Sequence, residues 1–235
     1  MEYTITTVAP IFLFPFIAFV INAFWGRKLP REGDWISVGA IFLSFLFSFR
    51  IFSDFIFSKF STDYYIHKVF NWIDLSHGEQ IFKIDLGIYI DNMTAIMLLM
   101  VTATAFLIHL FSTWYMKGDE GGYGRFFIYL SLFTSAMLGL VLSDNLLLLF
   151  VFWEIMGFCS YSLIGYYNKK EAAGNASIKA FMTTRIGDVF LLLGILAIWS
   201  VVGNVNYVDI YSAISQGLFE GKEILGVSLA TFAAV

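Results

Sequence analysis

Six long apolar runs divide this sequence, and each is close to the roughly 20 residues that a helix needs to cross about 30 Å of hydrocarbon. They are Val8 to Trp25, Trp35 to Phe57, Met93 to Tyr115, Phe126 to Leu142, Asn145 to Tyr167 and Ser177 to Val202. A seventh begins at Ile224 and reaches only Val235, which at about 1.5 Å of rise per residue covers little more than half of that thickness. Backbone polar groups in hydrocarbon must be satisfied within the chain, so runs of this length fold as spanning helices. The expected fold is an all-α polytopic membrane protein with six complete transmembrane helices and a truncated seventh. A helix without an exit flank is not a natural end, so the 235 residues are expected to be the front part of a longer protein.

Composition agrees. Only 14% of the residues are charged while 59% are hydrophobic, against about 25% charged in a typical soluble domain. A formal net charge of -4 leaves no basic footprint for nucleic acid. The single cysteine, Cys159, rules out an internal disulfide or a thiolate cluster, and it reads as a small core residue. His109 is the only histidine inside a run, so no pair of axial haem ligands faces across the bundle, and no glycine-rich phosphate loop follows a strand. No cofactor and no metal site of the chain's own is expected. Met1 to Pro10 lacks the basic flank of a signal peptide, which leaves the first run as a spanning helix.

Between the second and third helices, residues 58–92 are polar enough to lie outside the membrane. Phe82, Ile84, Leu86, Ile88 and Ile90 alternate with Lys83, Asp85, Gly87 and Tyr89, the period of a strand. Val69 to Leu75 is the expected partner, with Ser76, His77, Gly78 and Glu79 as the turn of an external β-hairpin. The chain thus divides into 1–57, 58–92 and 93–235. Basic residues concentrate in the first, third and fifth loops and their flanks: Arg27, Lys28, Arg31, Lys117, Arg125, Lys169, Lys170 and Lys179. By the positive-inside rule, this bias places the N-terminus and the hairpin outside, periplasmic in a bacterial inner membrane.

Charges inside the runs are the candidate functional residues. Glu154 is in the middle of a segment of Leu, Phe, Val and Trp, where an ionised carboxylate costs several kcal/mol unless it is paired or meets water. Its bland reading is a packing carboxylate; intramembrane ionisable groups are functional by default. Arg185 and Asp188 lie i, i+3 on the sixth helix and share a face, so Asp188 is the obvious counter-ion of an arginine that stays charged. Lys179, two turns earlier, can snorkel to the inner interface. Asp144 reads as a helix N-cap and His109 as a satisfied histidine rather than a proton relay.

The stretches Tyr89-Ile90-Asp91-Asn92-Met93-Thr94, Phe106-Leu107-Ile108-His109, Trp114-Tyr115-Met116, Ser143-Asp144-Asn145-Leu146, Trp153-Glu154, Cys159-Ser160-Tyr161-Ser162-Leu163-Ile164-Gly165 and Thr184-Arg185-Ile186-Gly187-Asp188 carry a family resemblance. The chain resembles the subunit L / chain 5 family of NADH-quinone oxidoreductase, respiratory complex I, continuously from about Tyr89 to Val202. The resemblance implies an antiporter-like proton-translocating subunit without a redox centre, whose domain would begin at residue 93. Other membrane-arm subunits would be its partners, and NADH and quinone would bind elsewhere in the complex. It also implies that Glu154 is the channel carboxylate and that Arg185 and Asp188 form a gating pair. The family pattern needs a lysine on the seventh helix, and a chain ending at Val235 is expected to lack it and to be inactive alone. Subunits of multisubunit Na⁺/H⁺ antiporters and of membrane-bound hydrogenases share the Trp-Glu motif, and a non-catalytic scaffold is the alternative from another class.

Overall fold

The computed structural model describes residues 5–57, 65–74, 83–118, 122–219, 223–224 and 227–228. Each of the six runs is a helix: α1 (Ile5–Trp25), α2 (Asp34–Phe57), α3 (Asn92–Tyr115), α4 (Tyr123–Leu142), α5 (Leu146–Ile164) and α6 (Glu171–Val202). All six are long and apolar enough to cross a membrane. Between α2 and α3 is the hairpin, β1 (Tyr65–Asp74) paired antiparallel with β2 (Lys83–Ile90), in a register running from Tyr65 opposite Ile90 to Asp74 opposite Lys83. The expected turn, Ser76 to Glu79, lies outside the described residues.

Two elements differ from the sequence expectation. Residues after α6 form a short helix, α7 (Tyr207–Ser215), which buries Ile210 and Ala213 and leaves Tyr211 and Ile214 exposed. Nine residues are too few for the span-length criterion that located the other helices. Where the seventh spanning helix is expected to begin, β3 (Glu223–Ile224) pairs antiparallel with β4 (Val227–Ser228). Short apolar runs suit either structure, and β-branched Ile224 and Val227 flanking Gly226 favour the extended one. The remainder of Ile224 to Val235 is outside the described residues.

Helix α1 packs against α2 and α4, α3 packs against α2 and α4, and α5 joins α4 to α6. Small hydroxyl side chains, Ser37, Ser44, Ser131, Ser135 and Thr102, are buried beside an apolar core that includes Ile11, Ile51, Leu98 and Leu138, while Phe24, Leu107, Phe111 and Ile186 are exposed. Small hydroxyl residues let helices approach and answer backbone groups where no water can. Pro15, inside α1, has no N–H to give the carbonyl of Ile11 one turn earlier. The Ser44 hydroxyl on α2 donates to that carbonyl at 2.9 Å. A chain of side chains adds to this, with Asn22 donating to Ser37 Oγ at 2.8 Å and Ser131 donating to the same oxygen at 2.8 Å.

Each end of the bundle is tied by a buried carboxylate. At one end, Arg31 and Glu32 take left-handed backbone angles (φ 56 and 54) ahead of Gly33. That conformation costs roughly 1–2 kcal/mol per non-glycine residue, so it needs support. Asp34, fully buried, accepts from Arg31 Nη2 at 2.6 Å and from the Tyr123 hydroxyl at 2.6 Å, while the Glu32 carboxylate accepts from the Gly124 N–H. Exposed Trp25, Trp35, Trp114 and Tyr115 surround this end, an aromatic belt beside Arg27, Lys28, Arg31 and Lys117.

At the other end is the α4–α5 link. Asp144 is not the N-cap of α5; Asn145 is, its side chain accepting from Leu148 N–H at 2.7 Å. Asp144 instead accepts from the Gly87 N–H of β2 at 3.2 Å and from the Asn145 amide at 2.7 Å. A Cβ at residue 87 would come within 1.9 Å of the Asp144 carboxylate, so the contact needs glycine there. The Asp144 carbonyl accepts from Tyr207 N–H at 3.1 Å, joining α7 to the same link. Burial, with Asp144 and Tyr211 nearby, raises the pKa of the Tyr207 phenol against the opposing hydrogen bond from Ser143.

Replacing Ser44 with Ala should destabilise the bundle by about 1 kcal/mol, because the Ile11 carbonyl loses its donor in a place without water. In a Pro15→Ala background, residue 15 regains an N–H and the same change should cost almost nothing. Unfolding titrations in detergent read the difference; equal costs in both backgrounds would show that Ser44 does not serve this carbonyl.

Candidate functional site

Glu154 sits midway along α5, and Arg185 and Asp188 sit midway along α6. Positions 181, 185 and 188 recur at i, i+4 and i+7, so Phe181, Arg185 and Asp188 share one face of α6. The guanidinium of Arg185 crosses from that face to α5, where Nη1 pairs with Glu154 Oε2. The same nitrogen lies 3.2 Å from Asp188 Oδ2. The Phe181 ring lies under the guanidinium, 4.7 Å from the ring centre to Cζ, a cation–π contact.

Two carboxylates therefore share one cation, and the cluster carries a formal charge of -1 when all three groups are ionised. The i, i+3 spacing anticipates the Arg185–Asp188 pair, and the structure adds that the same guanidinium reaches Glu154 on the facing helix. Side-chain exposure is 31% for Glu154, 25% for Arg185 and 10% for Asp188, so Asp188 is the most enclosed of the three.

Trp153, the residue before Glu154, adds a contact that the sequence reading did not anticipate. Its indole Nε1–H donates to Asp188 Oδ1 at 2.9 Å. Asp188 thus has a donor for each oxygen, Arg185 on one and Trp153 on the other. The available signal was an amphipathic aromatic ring beside an intramembrane carboxylate, since a tryptophan N–H usually finds a partner.

The other candidates fall elsewhere. Lys179 is exposed, six residues before Arg185, and makes no ion pair among the described residues. It is not part of the cluster, because six residues of helix turn it off the face that Arg185 and Asp188 share. His109 is fully buried; its Nδ1 lies 2.8 Å from the Ala105 carbonyl, which makes Nδ1–H the donor. Its ring helps line a cavity of about 410 Å³ between α3, α4 and α5 with Met100, Phe133, Met137, Trp153 and Met156. Cys159 is buried and free. Among the described residues no group of histidine, cysteine or acidic side chains is arranged to hold a metal ion.

Two family models match the chain. One, described as NADH-Ubiquinone oxidoreductase (complex I), chain 5 N-terminus, covers residues 72–127, and the other, NADH:quinone oxidoreductase/Mrp antiporter, TM, covers residues 143–235. The NADH-quinone oxidoreductase subunit L of Pseudomonas aeruginosa is 39% identical over 224 residues, 94% of this chain and 35% of that protein. The chloroplastic NAD(P)H-quinone oxidoreductase subunit 5 of Marchantia polymorpha is 40% identical over 228 residues, 94% of this chain and 31% of that protein. The chain therefore spans about a third of the length of these relatives. Among solved structures, the membrane-bound sulfane sulfur reductase, an archaeal respiratory membrane complex, contains a chain that superposes with a TM-score of 0.73 at 21% identity, covering 87% of this chain and 39% of that one.

A bundle of spanning helices with an acidic and basic cluster at mid-depth, matched by these models, defines a multi-pass membrane protein of the antiporter-like class. Within that class, the chain belongs to the NADH-quinone oxidoreductase subunit L / chain 5 family.

Removing the shared cation should be the most damaging single change at the cluster. Arg185→Gln leaves two carboxylates facing each other in a poorly solvated site, a cost of about 2 kcal/mol after discounting for their partial exposure. Adding Glu154→Gln should recover most of that loss, since the remaining carboxylate, Asp188, keeps its Trp153 donor. Thermal denaturation in detergent compares the single and double variants; an unrecovered double variant would mean that packing, not charge, explains the damage.

Proposed function

We propose that the protein is a proton-translocating, antiporter-like membrane-arm subunit of an NADH-quinone oxidoreductase. In this reading, Glu154 is the carboxylate that gains and loses the proton and the Arg185–Asp188 pair is its gate. The observation that carries the proposal is the single guanidinium shared by two carboxylates on facing helices. A proton arriving at Glu154 neutralises it and weakens its hold on Arg185. The cation then belongs to Asp188 alone. When the proton leaves, Glu154 is charged again and reclaims its share of the guanidinium. Proton occupancy at Glu154 is thereby converted into the position of a charge between α5 and α6.

The chain supplies no electron carrier in this scheme. NADH and quinone are handled by other subunits, and redox energy reaches the cluster through contacts with neighbouring membrane-arm subunits. The N-terminus and the hairpin face the periplasmic side, with the basic, tryptophan-ringed end inside. The support for that orientation is the loop charge bias. Residues 93–235 begin the translocating unit, 1–57 supply the first two transmembrane helices and 58–92 the external loop with the hairpin.

The test is Glu154→Gln in the intact complex, reconstituted in vesicles. Proton uptake driven by NADH oxidation should fall by the share this subunit carries, and electron transfer coupled to it should slow. Running the same assay with and without Na⁺ identifies the translocated ion. Normal pumping by the Gln variant would refute the role given to Glu154.

A further inference from the structure

We infer that Trp153 is a positioning residue of the charge cluster: its indole N–H holds Asp188 so that Arg185 stays shared with Glu154. The inference rests on the proton-translocating reading above and adds a residue that acts through Asp188.

The argument starts from how a carboxylate and a guanidinium prefer to meet. A free Asp–Arg pair tends towards the bidentate form, with two parallel N–H to oxygen contacts. Here Asp188 offers Arg185 only Oδ2, at 3.2 Å, because Oδ1 is taken by the Trp153 indole at 2.9 Å. With one oxygen withheld, Asp188 holds the guanidinium by one edge, and Arg185 remains able to reach across to Glu154. Without the indole N–H, the carboxylate is free to turn both oxygens to Arg185, which lies on its own helix face three residues earlier. The cation would then close onto Asp188 and leave Glu154.

Position in the chain strengthens this. Trp153 immediately precedes Glu154 on α5, so the donor that fixes Asp188 belongs to the same helical turn as the proton-carrying carboxylate. The indole is stiff, with only two side-chain torsions, and it spans the gap from α5 to α6 at the height of the cluster. If the ring served only for packing, its N–H would be dispensable.

A double-mutant cycle in the intact complex, reading protons translocated per NADH oxidised in vesicles, tests the assignment. Trp153→Phe keeps a ring and removes the donor, and should cut the share of pumping that Glu154→Gln abolishes by about tenfold or more, the scale of one lost hydrogen bond to a charged group. Trp153→His, which restores an N–H, should regain part of that loss. In an Asp188→Asn background, Trp153→Phe should cause no further loss, because the group it acts through has lost its charge. Losses that multiply across the cycle, or native pumping by the Phe variant, would overturn the assignment. If the Phe variant does not assemble, Trp153→Leu, which also lacks the donor and suits a membrane helix, is carried through the same cycle with the same criterion. Glu154→Gln measured alongside separates the two readings. Normal pumping there removes the translocation scheme and this inference with it, whereas loss with Glu154→Gln but not with Trp153→Phe removes the Trp153 assignment alone.

Discussion

A bilayer offers no hydrogen bonds, and that single deficiency governs both the scaffold and the cluster. Polar atoms placed among α1 to α6 can be answered only from the chain itself, and several of the partners found lie on a neighbouring helix. Pro15 frees a carbonyl and Ser44 answers it; Ser37 takes one donor from Asn22 and another from Ser131. Arg185, Glu154 and Asp188 obey the same rule at higher stakes, since an unpaired charge in hydrocarbon costs several kcal/mol. The serines tie neighbouring helices through neutral hydrogen bonds. The three charges can also rearrange, because one cation between two anions can be divided in more than one way.

The ends of the bundle constrain how far that division can move the helices. At the α4–α5 link, Asp144, Gly87 and Tyr207 bind the hairpin and α7 to the start of α5. At the opposite end, the Asp34 and Glu32 carboxylates fasten the α1–α2 turn to the start of α4. A helix pinned at its first turn and packed along α4 transmits a charge shift at its middle more readily as a change in side-chain pairing than as a rigid translation. Packing in protein interiors is too dense for continuous deformation, which favours discrete rearrangements of this kind.

The long helices were legible because span length is a property of the sequence itself: twenty apolar residues have one stable form in hydrocarbon. The hairpin was legible from the alternation of Ile84, Leu86, Ile88 and Ile90. Helix α7 was not, because nine half-polar residues satisfy neither criterion, and its face is defined by the α4–α5 link that it packs on. Asp144 was misread for a related reason. A carboxylate before a helix suits an N-cap, and only the arrival of Gly87 from a distant strand gives it another use. The members of the charge cluster, Glu154, Arg185 and Asp188, were legible because charges are rare in spans. Their connection was not, because spacing along α6 reveals only the local pair, and the reach of Arg185 to α5 depends on how two helices face each other. Lys179, read as able to snorkel to the inner interface, is exposed and lies off the face that Arg185 and Asp188 share.

The charge count of the cluster has its own consequence. One cation cannot neutralise two carboxylates, and in a medium of low dielectric a net charge of -1 attracts one more positive charge, either a proton or a cation from elsewhere. The guanidinium does not use all of its donors, since Nε of Arg185 is buried without a hydrogen-bond partner among the described residues. A site built only to fix helix register would be expected to neutralise itself and satisfy its donors, because buried polar networks hold best when complete. An incomplete network with one excess negative charge is instead suited to taking up and releasing a positive one. The Arg185–Asp188 pair alone could have been a register pin; the second carboxylate on α5 is the feature on which the proposed exchange depends.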